Sequence, residues 1–139
     1  MSESQQQRRK PAITIRQSDY IALTRLAESI ADRNPAVSEE LLSELDRAKV
    51  VDDARLGDGI IRMGSLLRYS TDTGENRTVT LVFPGEADIA EDRVSVLTPI
   101  GAALIGLSQG QSIDWTTRDG RVQRLTIEHV ESQVEKSAM

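Results

Sequence analysis

Thr98-Pro99-Ile100-Gly101-Ala102-Ala103-Leu104-Ile105-Gly106-Leu107 is the stretch on which the fold turns. The Thr98 hydroxyl can accept from the unpaired N–H groups of a first helical turn. Pro99 behind it has φ preset for a helix and lacks only an N–H that would find no helical partner there. A helix therefore starts at Thr98-Pro99, and the uncharged run Ala102 to Leu107 makes it short and buried.

Outward from that helix the period is two. Downstream, Ile113 and Trp115 begin a hairpin that turns at Asp119-Gly120, and the return strand alternates Leu125 and Ile127 inward with Arg124, Thr126 and Glu128 outward. Upstream, Val94 and Val96 mark a strand. Before it, Arg62 to Tyr69 and Thr78 to Phe83 form two more, joined by a turn over Thr71 to Asn76 that contains Asp72 and Gly74. Residues 60–131 are thus a small antiparallel sheet with one short helix, and residues 132–139 a flexible tail.

Before Ile60 the period is helical. Ser18 and Asp19 can cap a helix with apolar positions Leu23, Leu26, Ala27, Ile30 and Ala31, which Arg33-Asn34-Pro35 should end. Ser38 is the expected cap of a second helix, with Glu39 and Glu40 at its positive start and Leu41, Leu42, Leu45 and Ala48 as its stripe. Residues 18–51 read as a short antiparallel helical hairpin that leans on the following domain through its leucines, because arms this short are marginal alone. Asp52 to Gly59 reads as a linker and residues 1–17 as a mostly disordered basic tail. The fold class is α+β.

The 139 residues carry a net charge of -5, and the excess of bases is confined to the first 17 positions. Neither structured segment is basic overall, so sequence-specific nucleic-acid binding is not expected. No 18-residue apolar run predicts a membrane span, and a cytoplasmic protein is expected. With no cysteine and one histidine, His129, thiolate chemistry and Cys-containing zinc sites are excluded. His129 between Glu128 and Glu131 reads as a solvated edge residue. Asp88, Glu91 and Asp92 lack the spacing of a calcium loop and read as an acidic turn. Neither a metal nor a cofactor is expected.

Met63-Gly64-Ser65, Val82-Phe83-Pro84-Gly85-Glu86-Ala87-Asp88, and Thr98 to Leu107 followed by Gly110 resemble the C-terminal domain of the bacterial GreA and GreB transcript cleavage factors. Ser43-Glu44-Leu45-Asp46-Arg47-Ala48 before the linker makes residues 12–130 resemble more closely the Rnk branch of that family, the regulators of nucleoside diphosphate kinase. The resemblance implies an FKBP-like C-terminal fold. It also implies binding to RNA polymerase near its secondary channel, with a short hairpin where Gre factors have a long coiled coil, and no stimulation of transcript cleavage.

In Gre factors the long hairpin offers tip carboxylates to a catalytic magnesium ion. Here the tip is Asp32-Arg33-Asn34-Pro35, with no adjacent pair of acids and with Arg33 opposing a cation. The polymerase-contacting Ser-Pro segment of Gre factors corresponds to Thr98, Pro99, Ile100 and Gly101, with Leu97 where an acid often stands. Packing explains Pro99 and Gly101 equally well. Three rivals follow: a Gre-like cleavage factor, direct contact with nucleoside diphosphate kinase, and a prolyl isomerase. The last needs a pocket walled by rings, whereas Tyr69, Phe83 and Trp115 read as core. No catalytic residue is assigned.

Overall fold

A computed structural model describes residues 11–116 and 119–131. Its elements are β1 (Thr14–Arg16), α1 (Gln17–Ser29), α2 (Pro35–Asp46), β2 (Lys49–Val51), β3 (Leu66–Thr71), β4 (Asn76–Val82), β5 (Arg93–Ser95), α3 (Pro99–Leu104), β6 (Ser112–Thr116) and β7 (Val122–Glu131). The expected α+β class, two helices followed by a sheet with one short helix, is what forms.

β1 corrects the reading of residues 1–17 as a tail. Ile13 and Ile15 alternate inward to 2% exposure, and β1 runs parallel to β2, pairing Thr14 with Lys49 and Arg16 with Val51. The Thr14 N–H donates to the Gly106 carbonyl at 3.1 Å, which seats the strand on the chain leaving α3. Two isoleucines two positions apart are a strand signal that the surrounding polar residues obscure. The remaining tail positions, 1–10 and 132–139, lie outside the described residues.

The hairpin forms with different caps from those expected. α1 begins at Gln17, and Asp19 is buried within its first turn rather than capping it. Asn34 flanks α2 and Pro35 occupies its first turn, so the proline expected to end one helix opens the next. Ser38 is therefore not a cap. One turn inside α2, its hydroxyl donates to the Ala27 carbonyl of α1 at 2.8 Å, a buried bond that clasps the two helices. Ser38→Ala should lower the stability by about 1 kcal/mol. Urea unfolding checks this: the midpoint should fall and the m-value stay unchanged.

Asp52 to Gly59 is not a free linker either. Asp53–Arg55 form a 3₁₀ turn, and Asp53 Oδ1 accepts from the Ser18 N–H at 2.9 Å. Hydrogen bonds from the Ser18 side chain and backbone hold the Asp53 carboxyl below its usual 3.8. A carboxyl depressed by folding contributes above its unfolded pKa and loses its contribution as pH falls through the lower folded value, so this tie releases below the usual carboxylate value of 3.8.

The larger sheet has the order β5-β4-β3-β7-β6. Its pairings are antiparallel except β4 with β5, which is parallel: Thr80 pairs with Arg93 and Val82 with Ser95. The loop through 3₁₀ turns Pro84–Glu86 and Ile89–Glu91 carries the chain back alongside β4, so β5 enters in the same direction. A bulge between Arg68 and Tyr69 shifts the register of β3 on β7. Leu125 and Ile127 point inward at 1% exposure, as the alternation predicts. Leu104, Ile105 and Leu107 lie in one hydrophobic cluster with sheet residues and with Leu23, Leu41 and Leu45 of the hairpin. Hairpin and sheet thus share a core, and each buried leucine adds about 1.5–3 kcal/mol.

Candidate protein-docking surface

The Thr98–Gly101 segment is built by its own hydrogen bonds. Thr98 Oγ1 donates to the Ser95 carbonyl at 2.7 Å and accepts from the Gly101 N–H at 3.1 Å, the cap expected from sequence. Gly101 is buried, and a Cβ there would stand 2.1 Å from the Ser95 carbonyl oxygen. Its role is to let α3 lie against β5. Pro99 is exposed, and Ile100 is half-buried against the core. Of the four candidate docking residues, therefore, Pro99 and Ile100 offer surface, while Thr98 and Gly101 hold that surface in place.

Pro99 also lines a cleft of about 230 Å³ between the hairpin and the sheet. Glu40 and Glu44 of α2 and Arg47 just after it form one wall, and Pro99, Ala103 and Trp115 another. Arg47 spans two elements: Nε and Nη2 lie 2.9 Å from Glu44 Oε1, and Nη1 donates to the Pro11 carbonyl at 2.7 Å. This ties the N-terminal segment to α2. Asp114, on β6 beside Trp115, pairs with Arg124 at 3.3 Å. None of this cleft is legible as a site in the sequence. Glu40 reads as a helix-start acid and Trp115 as core, and only the Glu44–Arg47 spacing at i,i+3 hints at a pair.

The tip residues Asp32, Arg33, Asn34 and Pro35 are all exposed, and none lines the cleft. Pro35 opens α2 and Arg47 follows its last residue, so the 12 residues of the helix, about 18 Å, separate them. Among the described residues, no group of three or more His, Asp or Glu side chains could hold a metal ion. Asp88 caps the turn before β5 by accepting from the Ala90 N–H at 3.1 Å, and Asp92 adopts a left-handed φ of 58° there. Those acids serve the turn. His129 is exposed and pairs with Arg68 next to the bulge; β7 is an inner strand, so the edge placement expected for it is corrected. Tyr69 is buried, which raises its phenol above the usual 10.0, and Phe83 packs partly buried on the core.

A two-helix hairpin sharing one core with a curled, mostly antiparallel sheet, and a proline-opened helix at the junction, define a protein of the GreA/GreB C-terminal type. Residues 56–132 match the family model "Transcription elongation factor, GreA/GreB, C-term", and residues 11–51 match "Rnk N-terminus". The chain belongs to the Rnk branch of the GreA/GreB family. It is 32% identical to the "Regulator of nucleoside diphosphate kinase" of Escherichia coli K12 over 91% of this chain and 93% of that protein. With transcription elongation factor GreA of Azorhizobium caulinodans it shares 32% identity over 68% of this chain and 60% of GreA. A solved GreA/GreB-type elongation factor from Nitrosomonas europaea superposes with a TM-score of 0.71 at 34% identity, covering 85% of this chain and 98% of that one.

Proposed function

We propose that this chain regulates transcription by binding RNA polymerase near its secondary channel through the C-terminal domain, competing with Gre factors without stimulating transcript cleavage. The observation that carries this reading is the pairing of a GreA/GreB-type domain with a hairpin of only 13- and 12-residue helices. Such arms reach about 20 Å. Cleavage by the Gre route needs a tip carboxylate delivered to a magnesium ion in near-octahedral geometry, and this tip presents one acid, Asp32, beside Arg33. The protein occupies the docking surface and contributes no catalytic group.

Binding to purified core RNA polymerase in competition with a labelled GreA tests this. Displacement of GreA is the expected result, with no acceleration of cleavage in backtracked complexes. Pro99→Ala should weaken displacement about tenfold if Pro99 is an anchor of the interface. Ile100→Asp should do so more strongly, with a thermal melt to separate lost docking from lost folding. Accelerated cleavage would leave a Gre-like cleavage factor as the better reading.

A second reading rests on the name of the Escherichia coli relative, a regulator of nucleoside diphosphate kinase. A pull-down with the full chain that recovers that kinase and no polymerase subunit favours direct kinase contact.

A further inference from the structure

We infer that the cleft between α2 and α3 is a seat for a single arginine side chain of the partner protein, held between Trp115 and Glu40. The inference deepens the polymerase reading and rests on it only for which protein supplies the arginine. Size comes first. At about 230 Å³ the cleft falls below the roughly 300–1,000 Å³ of small-molecule sites, so it suits one side chain rather than a nucleotide.

Charge decides the kind of side chain. Glu40, Glu44 and Asp114 line the cleft against one base, Arg47. Arg47 is spent: Glu44 takes its Nε and Nη2, and the Pro11 carbonyl takes its Nη1. Asp114 is partly balanced by Arg124 at 3.3 Å, in a pair whose side chains are both about half exposed. Glu40 is exposed, and its side chain makes no hydrogen bond or ion pair among the described residues. The cleft therefore carries one uncompensated negative charge at its wall.

Shape narrows the choice from any cation to a guanidinium. Trp115 packs against the core yet lines the cleft, so it contributes a fixed aromatic surface. A guanidinium is planar and weakly hydrated. It can stack on an indole while donating to a carboxylate, which a compact, strongly hydrated lysine ammonium does less well. Pro99 and Ala103 supply apolar contact for the methylene stem. Because Pro99 is also an exposed residue of the candidate docking segment, the seat is continuous with that surface.

The chain contains a single tryptophan, so 5-fluorotryptophan gives one fluorine resonance that reports on this cleft. The full chain would be titrated with N-acetylarginine amide, and in parallel with the lysine and leucine amides. The expected result is a saturable shift with the arginine amide in the millimolar range, weaker with lysine and absent with leucine. Glu40→Gln should weaken it about threefold. No saturable shift, or an equal one with leucine, overturns the proposal whether or not polymerase binds. With core polymerase as the partner, Glu40→Lys and Trp115→Leu should each reduce affinity about tenfold while the melting curve stays cooperative. If arginine amide binds and these two variants bind polymerase normally, the assignment of the seat to the partner's arginine is overturned.

Discussion

Gly101→Ala should be among the most damaging single-methyl additions in the described fold. The new Cβ would lie 2.1 Å from the Ser95 carbonyl oxygen, 2.9 Å from the Ser95 carbonyl carbon and 2.9 Å from Val96 Cα. All three are backbone atoms, so no rotamer change relieves the overlap. Either α3 must lift from β5 or β5 must leave β4. Lifting α3 strains the Gly101 N–H to Thr98 Oγ1 bond and the Thr98 hydroxyl to Ser95 carbonyl bond that start the helix. It also opens the core beneath Leu104 and Ala102. Overpacking of this kind, with a lost cap added, should cost about 3 kcal/mol or more, which for a chain of this size lowers Tm by roughly 10 °C. Calorimetry checks it against Gly85→Ala, where nothing lies within 4 Å and φ is not left-handed, and where a change within about 0.5 kcal/mol is expected.

The same clash bears on docking. Gly101 places Pro99 at the surface only because the helix can sit this close to the strand, so a Gly101 variant that lost polymerase binding would report on the scaffold. Gly106 acts similarly at the far end. With φ at +83° and a would-be Cβ 2.9 Å from Ile13 Cβ, it lets β1 pass beside the chain leaving α3. Pro99, whose exposed ring meets none of these constraints, is the better position at which to separate contact from folding.

What could be read from the sequence divides along the range of the interactions. The Thr98 cap, Pro99 in the first turn of α3, the turn over Thr71 to Asn76 and the inward Leu125 and Ile127 all depend on neighbours within a few positions, and each forms as the residues dictate. The polar residues carry less local information, because their partners are remote. Ser18, Asp19 and Ser38 are all good cap residues in isolation, but Asp19 bonds Met63, 44 positions on, and Ser38 bonds Ala27, 11 positions back. A cap reading is the best use of such a side chain only when tertiary structure offers nothing better. β1 has little local signature for the same reason: its partner strand begins at Lys49. The cleft draws Glu40 and Arg47 from one part of the chain and Pro99 and Trp115 from another, so no local pattern could bring them together.

Asp19→Ala should approach Gly101→Ala in cost, by a different route. The Asp19 side chain is 6% exposed; Oδ2 accepts from the Met63 N–H at 3.0 Å and lies 3.0 Å from Arg16 Nε. These contacts fasten the start of the hairpin to the entrance of the sheet domain. Truncation would strand a buried backbone donor and leave the mostly buried Arg16 guanidinium without this carboxylate, a loss of about 3 kcal/mol. Asp19→Asn keeps an oxygen that can accept from Met63 but removes the charge, so it should cost about half as much. Hydrogen exchange separates a local latch from general destabilisation. If Asp19 acts as a latch, the Met63 amide should exchange faster in Asp19→Asn by a larger factor than core amides such as Leu81, because the hairpin can detach while the sheet persists. Equal acceleration at Met63 and Leu81 would mean that hairpin and sheet open only together. That outcome would also bear on docking: it would make the α2 wall of the cleft as rigid as the sheet it faces.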